Sequence, residues 1–388
     1  MNLEDALKNY GTRIEHSVAV KIGGSAFDPD GWILSSFEAE LSIDLKANSC
    51  SVFYVQNVQF SSKFDFSVSV KLGSKFELSA GYVVDGKPEN KVIFTGFIYS
   101  YQFEVLGSSE YSKLTINSMD VKVWMMPGLK TKQFKGKETP SAVAKDILSP
   151  YSKYASYDVA IKNETQIKIP LVQYQKSDYE YMCDLAKTCG CLFYCDENGK
   201  VYFVDMSQNK SIAFTIESFF GIYSIKFDAN IWGVPKSSQI VALNEKDYSD
   251  PLTVSVSPTS LIGSGSLASE LSSAVSATYS SVLNSPKDSG EARFLAGAAL
   301  QQVSLFSKLT VVSPLIPGYG PGVGVKVEGL GYPLDNVFLI ESVNYSFDSV
   351  EKNFKTTFLL ATDVLPSSSG FYVPDMPSFD IPNIPFPF

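Results

Sequence analysis

Strict alternation of apolar and polar residues limits, more than any other feature, how this chain can fold. Residues 37–44 alternate at every position, and the same period returns in residues 64–70. Successive side chains of a β-strand point to opposite faces, so this period indicates strands with one buried and one solvated face. Residues 16–127 carry strand-like patterns almost throughout, and 13% of the chain is aromatic. We therefore predict a mainly β protein, with successive short strands forming a sandwich or barrel.

Turn signals divide this first β region. Asp85-Gly86 separates the strand-like segments 75–82 and 91–105, and this dipeptide favours a two-residue hairpin turn. A further strand region covers residues 113–126 and stops at Pro127-Gly128. The first β region is therefore placed at residues 1–130.

Helix signals interrupt the β pattern after residue 130. Thr139-Pro140 is typical of a helix start, with threonine as N-cap and proline at the first helical position. Ser177 and Glu180 form a capping-box pattern before a second helix, which Gly190 ends. A hairpin over residues 191–205 follows. Residues 131–210 are thus predicted to form a small α+β insert with helices and a hairpin.

Strand-like segments return after the insert. A second β region is predicted at residues 211–365, with a helix over residues 291–306. Residues 251–290 are rich in serine and poor in charge, and their pattern fits a long loop or a weak helix. We assign them as a Ser-rich loop.

The last segment has a different composition. Residues 366–388 contain six prolines, which prevent a regular helix or a central strand and favour an extended arm. Disordered segments are usually poor in aromatic residues, so the aromatic content predicts docking on a partner. The predicted partner-binding residues are Phe371, Tyr372, Phe379, Phe386 and Phe388.

Charge and composition exclude several classes of function. The net charge is −9 and the arginines are Arg13 and Arg293, which argues against direct nucleic-acid recognition. His16 is the single histidine, so most metal sites and most histidine-based catalysis are excluded. The sequence shows no secretory signal and no apolar run of the ~20 residues that a membrane span needs. We predict no catalytic residues, metal or cofactor.

The cysteines and tryptophans fit packing better than chemistry. Cys189 and Cys191 are separated by one residue, whereas zinc ligand pairs are usually two to four residues apart. An odd count of five cysteines favours reduced thiols made in a cytoplasm, buried as small hydrophobic side chains. Core or interface packing is also the expectation for Trp32, Trp124 and Trp232.

Three stretches, taken in order, resemble one known family. Residues 72–82 and 94–98 contain a "GY" strand and an "F-x-G" strand. Residues 173–182 and 190–194 are similar to a "QY-x-E-S-D" helix followed by glycine and an aromatic strand, and residues 317–343 resemble a "PG…G…LDG" pattern. The family is that of the phage late control gene D proteins, which includes contractile-tail baseplate hubs and the N-terminal half of VgrG spikes. Lys176 and Asn336 depart from the pattern, standing where an acidic residue and a glycine are usual.

The resemblance implies a fold and a role. It implies two tube-like β-barrels per chain, assembled as a homotrimer whose six barrels match a hexameric tail tube or tube initiator protein. A trimeric spike protein would sit on the other side, with other baseplate subunits around it. No spike-like extension follows residue 363, so we expect the arm to dock on a separate spike or on a neighbouring baseplate subunit. The expected location is a phage tail, bacteriocin or extracellular injection particle assembled in the bacterial cytoplasm.

Two other classes stay open at this point. A glycan-binding β protein would expose aromatic residues at loop tips. A tail-associated muramidase would need two carboxyl groups ~5–10 Å apart in a cleft, and such a pair has no sequence signature.

Overall fold

The mainly β architecture with an α+β insert is confirmed by the computed structural model. The model describes residues 15–57, 70–84, 86–105, 111–134, 139–161, 164, 172–206, 211–219, 221–229, 237–242, 252–256, 278–281, 289–302, 305–331, 334–351 and 353–363. The strand-like segment 64–69 and the arm 366–388 lie outside these ranges.

The described elements comprise strands throughout the chain and three α-helices. In chain order the strands are His16–Ile22 (β1), Ser25–Ala26 (β2), Trp32–Ser42 (β3), Ser49–Asn57 (β4), Lys75–Val84 (β5), Lys87–Val105 (β6), Tyr111–Met119 (β7), Lys130–Gln133 (β8), Tyr157–Ala160 (β9), Val172–Lys176 (β10), Cys191–Cys195 (β11), Val201–Asp205 (β12), Ile212–Ile216 (β13), Ser224–Ala229 (β14), Ser237–Ala242 (β15), Leu252–Val256 (β16), Thr278–Ser281 (β17), Ser307–Pro314 (β18), Gly324–Val327 (β19), Asn336–Asp348 (β20) and Asn353–Thr362 (β21). The α-helices are Pro140–Leu148 (α1), Asp178–Cys189 (α2) and Ser289–Gln302 (α3).

One sheet of thirteen strands runs through both β regions. Its order is β14-β18-β21-β20-β3-β4-β7-β6-β5-β1-β2, with β13 and β19 attached beside β20. The two regions meet where β20 pairs antiparallel with β3, from Ser342 opposite Ser42 to Asp348 opposite Ser36. This pairing places residues from the two halves of the chain in one continuous hydrogen-bonded ladder.

The core lies on one face of this sheet. The alternation in β3 works as predicted, because Phe37, Ala39 and Leu41 are buried while Glu38 and Glu40 are exposed. The same core receives Val343 and Tyr345 of β20, so the two β regions share one hydrophobic cluster rather than having one core each. Deep burial of large side chains contributes about 1.5–3 kcal/mol per residue, which makes this shared core the main source of cohesion.

The turn and cap predictions are confirmed locally. Val84 pairs with Lys87, so strands β5 and β6 form a hairpin at the predicted turn position. Thr139 caps α1, and Ser177 with Glu180 forms the capping box of α2. Gly190 ends α2 in the left-handed conformation, with a φ of 65°.

The insert forms two small sheets beside its helices. Strands β11, β12 and β9 make one sheet, with β11 and β12 as the predicted hairpin. Strands β8 and β10 make a separate two-stranded ribbon. The helices α1 and α2 pack on the first of these through a second hydrophobic cluster that includes Met182, Leu185 and Phe193.

The structure corrects three predicted elements. The strand region 113–126 ends at Met119, because the side chain of Asp120 caps a short 3-10 helix at Val121–Trp124. The Ser-rich loop assigned to residues 251–290 contains the strands β16 and β17, which both pair with β15. Its residues 252–256 alternate Leu-Thr-Val-Ser-Val, which suits a strand despite the serines. Helix α3 begins at Ser289 and ends at Gln302, four residues before the predicted end.

Candidate assembly surface

The face of the large sheet opposite the core is lined mainly by polar side chains. It runs from β21 through β20, β3 and β4 to β7, and therefore crosses the junction between the two β regions. Its side chains are Ser36, Glu38, Glu40, Ser49, Ser51, Thr115, Asn117, Ser342, Asn344, Ser346, Lys355 and Thr357, and these residues are exposed or half-buried. We call this set the polar face.

Cross-strand register aligns the polar face in rows. Glu38 lies opposite Ser346 on one side and Ser51 on the other. Ser51 in turn lies opposite Asn117, whose neighbour on β6 is Ser100. One row thus crosses five strands without an apolar side chain.

Hydrogen bonds hold the polar face in a defined arrangement. Asn344 Nδ2 donates to Glu38 Oε1 at 2.9 Å across the junction of the two regions. Ser51 Oγ donates to Asn117 Oδ1 at 2.8 Å, and Asn117 Nδ2 donates to Ser100 Oγ at 3.0 Å. Phe53 lies on the same face between Ser36 and Thr115, beneath Lys113. The rest of the face is polar, so it suits contact with water or with another polar surface.

The insert is attached to the first β region by a buried charged network. Lys122 is fully buried, and its Nζ donates to the carbonyl oxygens of Lys46 (2.6 Å) and Phe193 (3.2 Å). Its partner Asp120 lies 4.0 Å away and accepts from the backbone N–H groups of Asn48 and Lys122, both at 2.9 Å. Burial raises the pKa of Asp120, and the charge of Lys122 with these hydrogen bonds offsets part of that rise.

Asn48 connects the same network to the hairpin of the insert. Its Nδ2 donates to the carbonyl of Cys195 at 2.9 Å, and its Oδ1 accepts from Ser42 N at 3.0 Å. Both ends of the amide are therefore used between β3 and β11. The first β region and the insert are joined here by polar groups that all have partners.

The motif at residues 173–178 proves to be structural. Asp178 opens α2 and is 6% exposed; it accepts from Lys130 Nζ (2.5 Å), Tyr151 OH (2.6 Å) and Gln173 Nε2 (3.0 Å). Burial alone would raise the pKa of Asp178, but these hydrogen bonds outweigh it and lower the pKa. Lys176, which replaces the usual acidic residue of the motif, forms an ion pair with Asp184. The motif therefore fixes β10, α2 and β8 to one another.

The β11–β12 hairpin reaches from the insert to both β regions. Gly199 lies against Thr95 of β6, where an added Cβ would approach Thr95 Cγ2 to 3.2 Å. On the other side, a Cβ on Gly320 or Gly322 would overlap Glu197 and the ring of Tyr194. These glycines let the loop at residues 317–322 approach the hairpin more closely than other residue types would permit. We call this the hairpin–loop contact.

Large apolar side chains are exposed at several places away from the polar face. Phe219 and Tyr223 precede the edge strand β14 and are 56% and 60% exposed. Tyr174, in the β8–β10 ribbon, is 65% exposed. The next residue, Gln175, lies at the bulge of this ribbon and has a φ of 47°, which is unusual for a residue other than glycine. Such side chains are suited to contacts with other chains.

A cavity lies where the insert meets both β regions. Its volume is about 310 Å³, and its walls include Leu45, Leu192, Met206 and the ion pair of Lys308 with Glu341. The acidic and basic side chains in the walls of the cavity are equal in number, so the cavity has no strong preference for a charged ligand.

The other residues considered in the sequence take packing positions. Cys50, Cys189, Cys191 and Cys195 are buried as predicted, and burial raises the pKa of each thiol, which keeps the thiols protonated. His16 stacks on Phe354 with ring centroids 4.7 Å apart. Trp32 is buried in the core shared by the β regions, and Trp124 packs against the core of the insert. Trp232 and the predicted docking residues Phe371, Tyr372, Phe379, Phe386 and Phe388 lie outside the described residues.

None of the helices in the described part of the chain has the length and apolar character needed to cross a lipid bilayer.

Solved structures with the same fold come from phage tails and secretion machinery. A tail protein from Neisseria meningitidis MC58 has a TM-score of 0.62 at 14% identity, covering 90% of this chain and 96% of that protein. The 43 kDa tail protein of prophage MuSo2 from Shewanella oneidensis has a TM-score of 0.61 at 13% identity, covering 90% and 99%. An E. coli component of the type VI secretion system has a TM-score of 0.55 at 11% identity, covering 88% and 76%. The fold is thus that of tail proteins.

The family follows from a sequence match. The model of the Alg8 N-terminal domain family matches residues 39–346, which is most of the chain. The protein belongs to the Alg8 N-terminal domain family. A search of curated proteins gave no match.

Proposed function

We propose that this protein is a structural baseplate hub of a contractile injection particle or phage tail, which adapts a hexameric tube to a trimeric spike. The observation that supports this proposal best is the junction of β3 with β20. Two β regions of one chain present a single polar face there. Each chain contributes two β regions, so a trimer would bring six β regions together, which is what a three-fold spike needs in order to meet a six-fold tube.

The fold of the tail proteins and of the type VI secretion component supports a tail-associated role. The motifs of late control gene D proteins support the narrower assignment to a hub related to VgrG. In this assignment the protein has no catalytic activity, and it assembles in the bacterial cytoplasm into a tail or a tail-like particle.

The homotrimer would close through the ends of the large sheet. Within the described residues, β14 pairs only with β18 at one end, and β1 with the short β2 forms the other end. Two unlike edges of this kind suit a head-to-tail contact between copies, which closes into a ring. Phe219 and Tyr223 beside β14 would lie in that contact.

Mass photometry of the purified chain, alone and with the tube and spike proteins encoded beside it, tests this proposal. We expect a species of about three times the 42.5 kDa chain mass, which binds one spike trimer. Tyr223→Arg should abolish the trimer, because it places a charge in the proposed contact. Val350→Arg is the control, since Val350 is 86% exposed in the β20–β21 turn away from β14.

A chain that stays monomeric in the presence of both partners would refute the hub. Equal loss of the trimer in both arginine variants would reject only the position of the contact.

The arm at residues 366–388 is proposed to dock on the spike or on a neighbouring baseplate subunit through Phe371, Tyr372, Phe379, Phe386 and Phe388. Deleting residues 366–388 should leave the thermal unfolding midpoint unchanged and weaken attachment of the spike or baseplate. Assembly at the normal level without these residues would discard the role of the arm.

A further inference from the structure

The hairpin–loop contact holds an acidic side chain that has no cationic partner among the described residues. Glu197 lies at the tip of the β11–β12 hairpin, and its Oε1 accepts from the neighbouring Asn198 Nδ2 at 2.8 Å. Its Oε2 faces Gly320 so closely that a Cβ at that position would overlap it. Within the described part of the chain, Glu197 forms no ion pair with a lysine or arginine.

The groups around Glu197 do not compensate its charge. On the hairpin, Asp196 is a second carboxylate, which accepts from the backbone N–H groups of Asn198 (3.0 Å) and Lys200 (2.8 Å) and from Tyr202 OH (3.3 Å). From the second β region, Tyr345 faces it and directs its hydroxyl proton to Tyr319 O at 2.7 Å.

Two lysines lie near this contact and are directed elsewhere. Lys91 of β6 lies against Gly318, and its Nζ is over the ring of Tyr319 at 5.7 Å. Lys200, on the hairpin, pairs with Asp158 at 3.5 Å. Glu197 is half-buried, so its ionised form would be a partly desolvated charge beside a like charge.

We propose that the charge state of Glu197 sets how tightly the loop at residues 317–322 is held against the hairpin, so that this contact is a pH-sensitive latch between the insert and the second β region. The hairpin is anchored by the Asn48–Cys195 hydrogen bond and by the buried residues Leu192 and Tyr194. Release therefore acts on the hydrogen bonds of the loop, from Gly322 N to Ile340 O at 2.8 Å and from Tyr345 OH to Tyr319 O at 2.7 Å. Neutral Glu197 fits the closed contact, and ionised Glu197 favours release of the loop into water.

The direction of the pH effect follows from linkage. Burial raises the pKa of Glu197 to about 7, and the nearby charge of Asp196 adds to that rise. A carboxyl group whose pKa is higher in the closed state stabilises that state most at low pH. The stabilisation declines as pH rises from the ordinary glutamate pKa of about 4.5 and is gone above about 7. Between pH 6 and pH 8 the opening equilibrium of the loop should therefore increase about tenfold.

Hydrogen exchange of the full chain, followed by mass spectrometry and corrected for intrinsic rates, measures this opening. In the wild type, peptides covering residues 315–323 should lose protection about tenfold between pH 6 and pH 8. Glu197→Gln, which is neutral and of the same size, should show equal protection at both pH values. Glu351→Gln is the matched control: Glu351 is an exposed acid in the β20–β21 turn, so this variant should keep the wild-type response.

Gly320→Ala tests the geometry independently of charge. Its Cβ would displace the Glu197 side chain, so the loop should exchange rapidly at both pH values while the rest of the sheet keeps its protection. A wild-type loop with no change in corrected exchange between pH 6 and pH 8 would overturn the latch. A tenfold change in corrected exchange that persists in Glu197→Gln would overturn the latch as well.

Discussion

The insert contacts the two β regions in opposite ways. Against the first region it buries Lys122, Asp120 and Asn48, and each of these three side chains has hydrogen-bond partners. Against the second region it presents a hairpin tip to a glycine-rich loop, with the acid Glu197 between them and no cationic partner in the part of the chain that the structure describes. The first contact is fixed because the charges of Lys122 and Asp120 compensate each other. The second contact is adjustable because the charge of Glu197 is not compensated.

Breaking the fixed joint should have the largest effect. Lys122→Met removes the cation and leaves Asp120 buried with its desolvation uncompensated, so we expect a loss of about 3–5 kcal/mol in the free energy of unfolding. Chemical denaturation followed by tryptophan fluorescence measures it. Lys21→Met is the control, because the Lys21–Glu77 pair is exposed and should contribute no more than about 1 kcal/mol. Equal losses in the two variants would show that the buried network is not a joint.

The interior of the insert should respond less strongly. Asp178→Asn replaces a carboxylate that accepts three hydrogen bonds, so we expect a loss of about 2–3 kcal/mol at neutral pH. Because the folded pKa of Asp178 is lowered, its contribution is present above the ordinary aspartate pKa of about 3.9 and is lost as pH falls below that value. The wild-type and Asn stability curves should therefore converge in acid. Curves that remain parallel down to pH 3 would contradict this account.

The adjustable contact allows a matched pair of glycine substitutions. Gly322 and Gly331 both have a φ of 85°, but a Cβ on Gly322 would overlap Tyr194, whereas nothing lies within 4 Å of a Cβ on Gly331. Both alanine variants carry the same backbone strain, so their difference measures the close approach alone. We expect Gly322→Ala to lose about 1–3 kcal/mol more than Gly331→Ala in thermal or chemical unfolding. Equal losses would mean that the loop can move away without cost.

Substitutions on the polar face should have the smallest effect on the free energy of unfolding. Glu38→Gln keeps the acceptor for Asn344 and removes an exposed charge, so its free energy of unfolding should stay within about 0.5 kcal/mol of the wild type. The same denaturation measurement provides the check. A larger loss would mean that Glu38 contributes to the junction of β3 with β20 through its charge.

Local features of the structure were accessible from the sequence. The strand β3, the hairpin at Asp85-Gly86 and the capping box at Ser177 and Glu180 each depend on a few neighbouring residues, and each is confirmed. Serine content hid the strands β16 and β17, because composition weighed more in the prediction than the alternation over residues 252–256.

The sites between elements were not accessible in the same way. Glu197 and Gly320 are separated by more than a hundred residues, and no local pattern indicates that one faces the other. The burial of Lys122 depends on carbonyl groups of Lys46 and Phe193 that only the fold brings near. The motif at residues 173–178 was found, but its structural role could not be read from spacing.

The pairing of β3 with β20 also has a consequence for how the chain is made. Ser42 leaves the ribosome 300 residues before its partner Ser342, which at about 5–20 residues per second is a delay of about 15–60 s. During that interval the edge of β3 is open to pairing with another nascent chain. Glu38 and Glu40 are exposed on one face of that strand, and charged side chains on an unpaired strand disfavour its pairing with another chain.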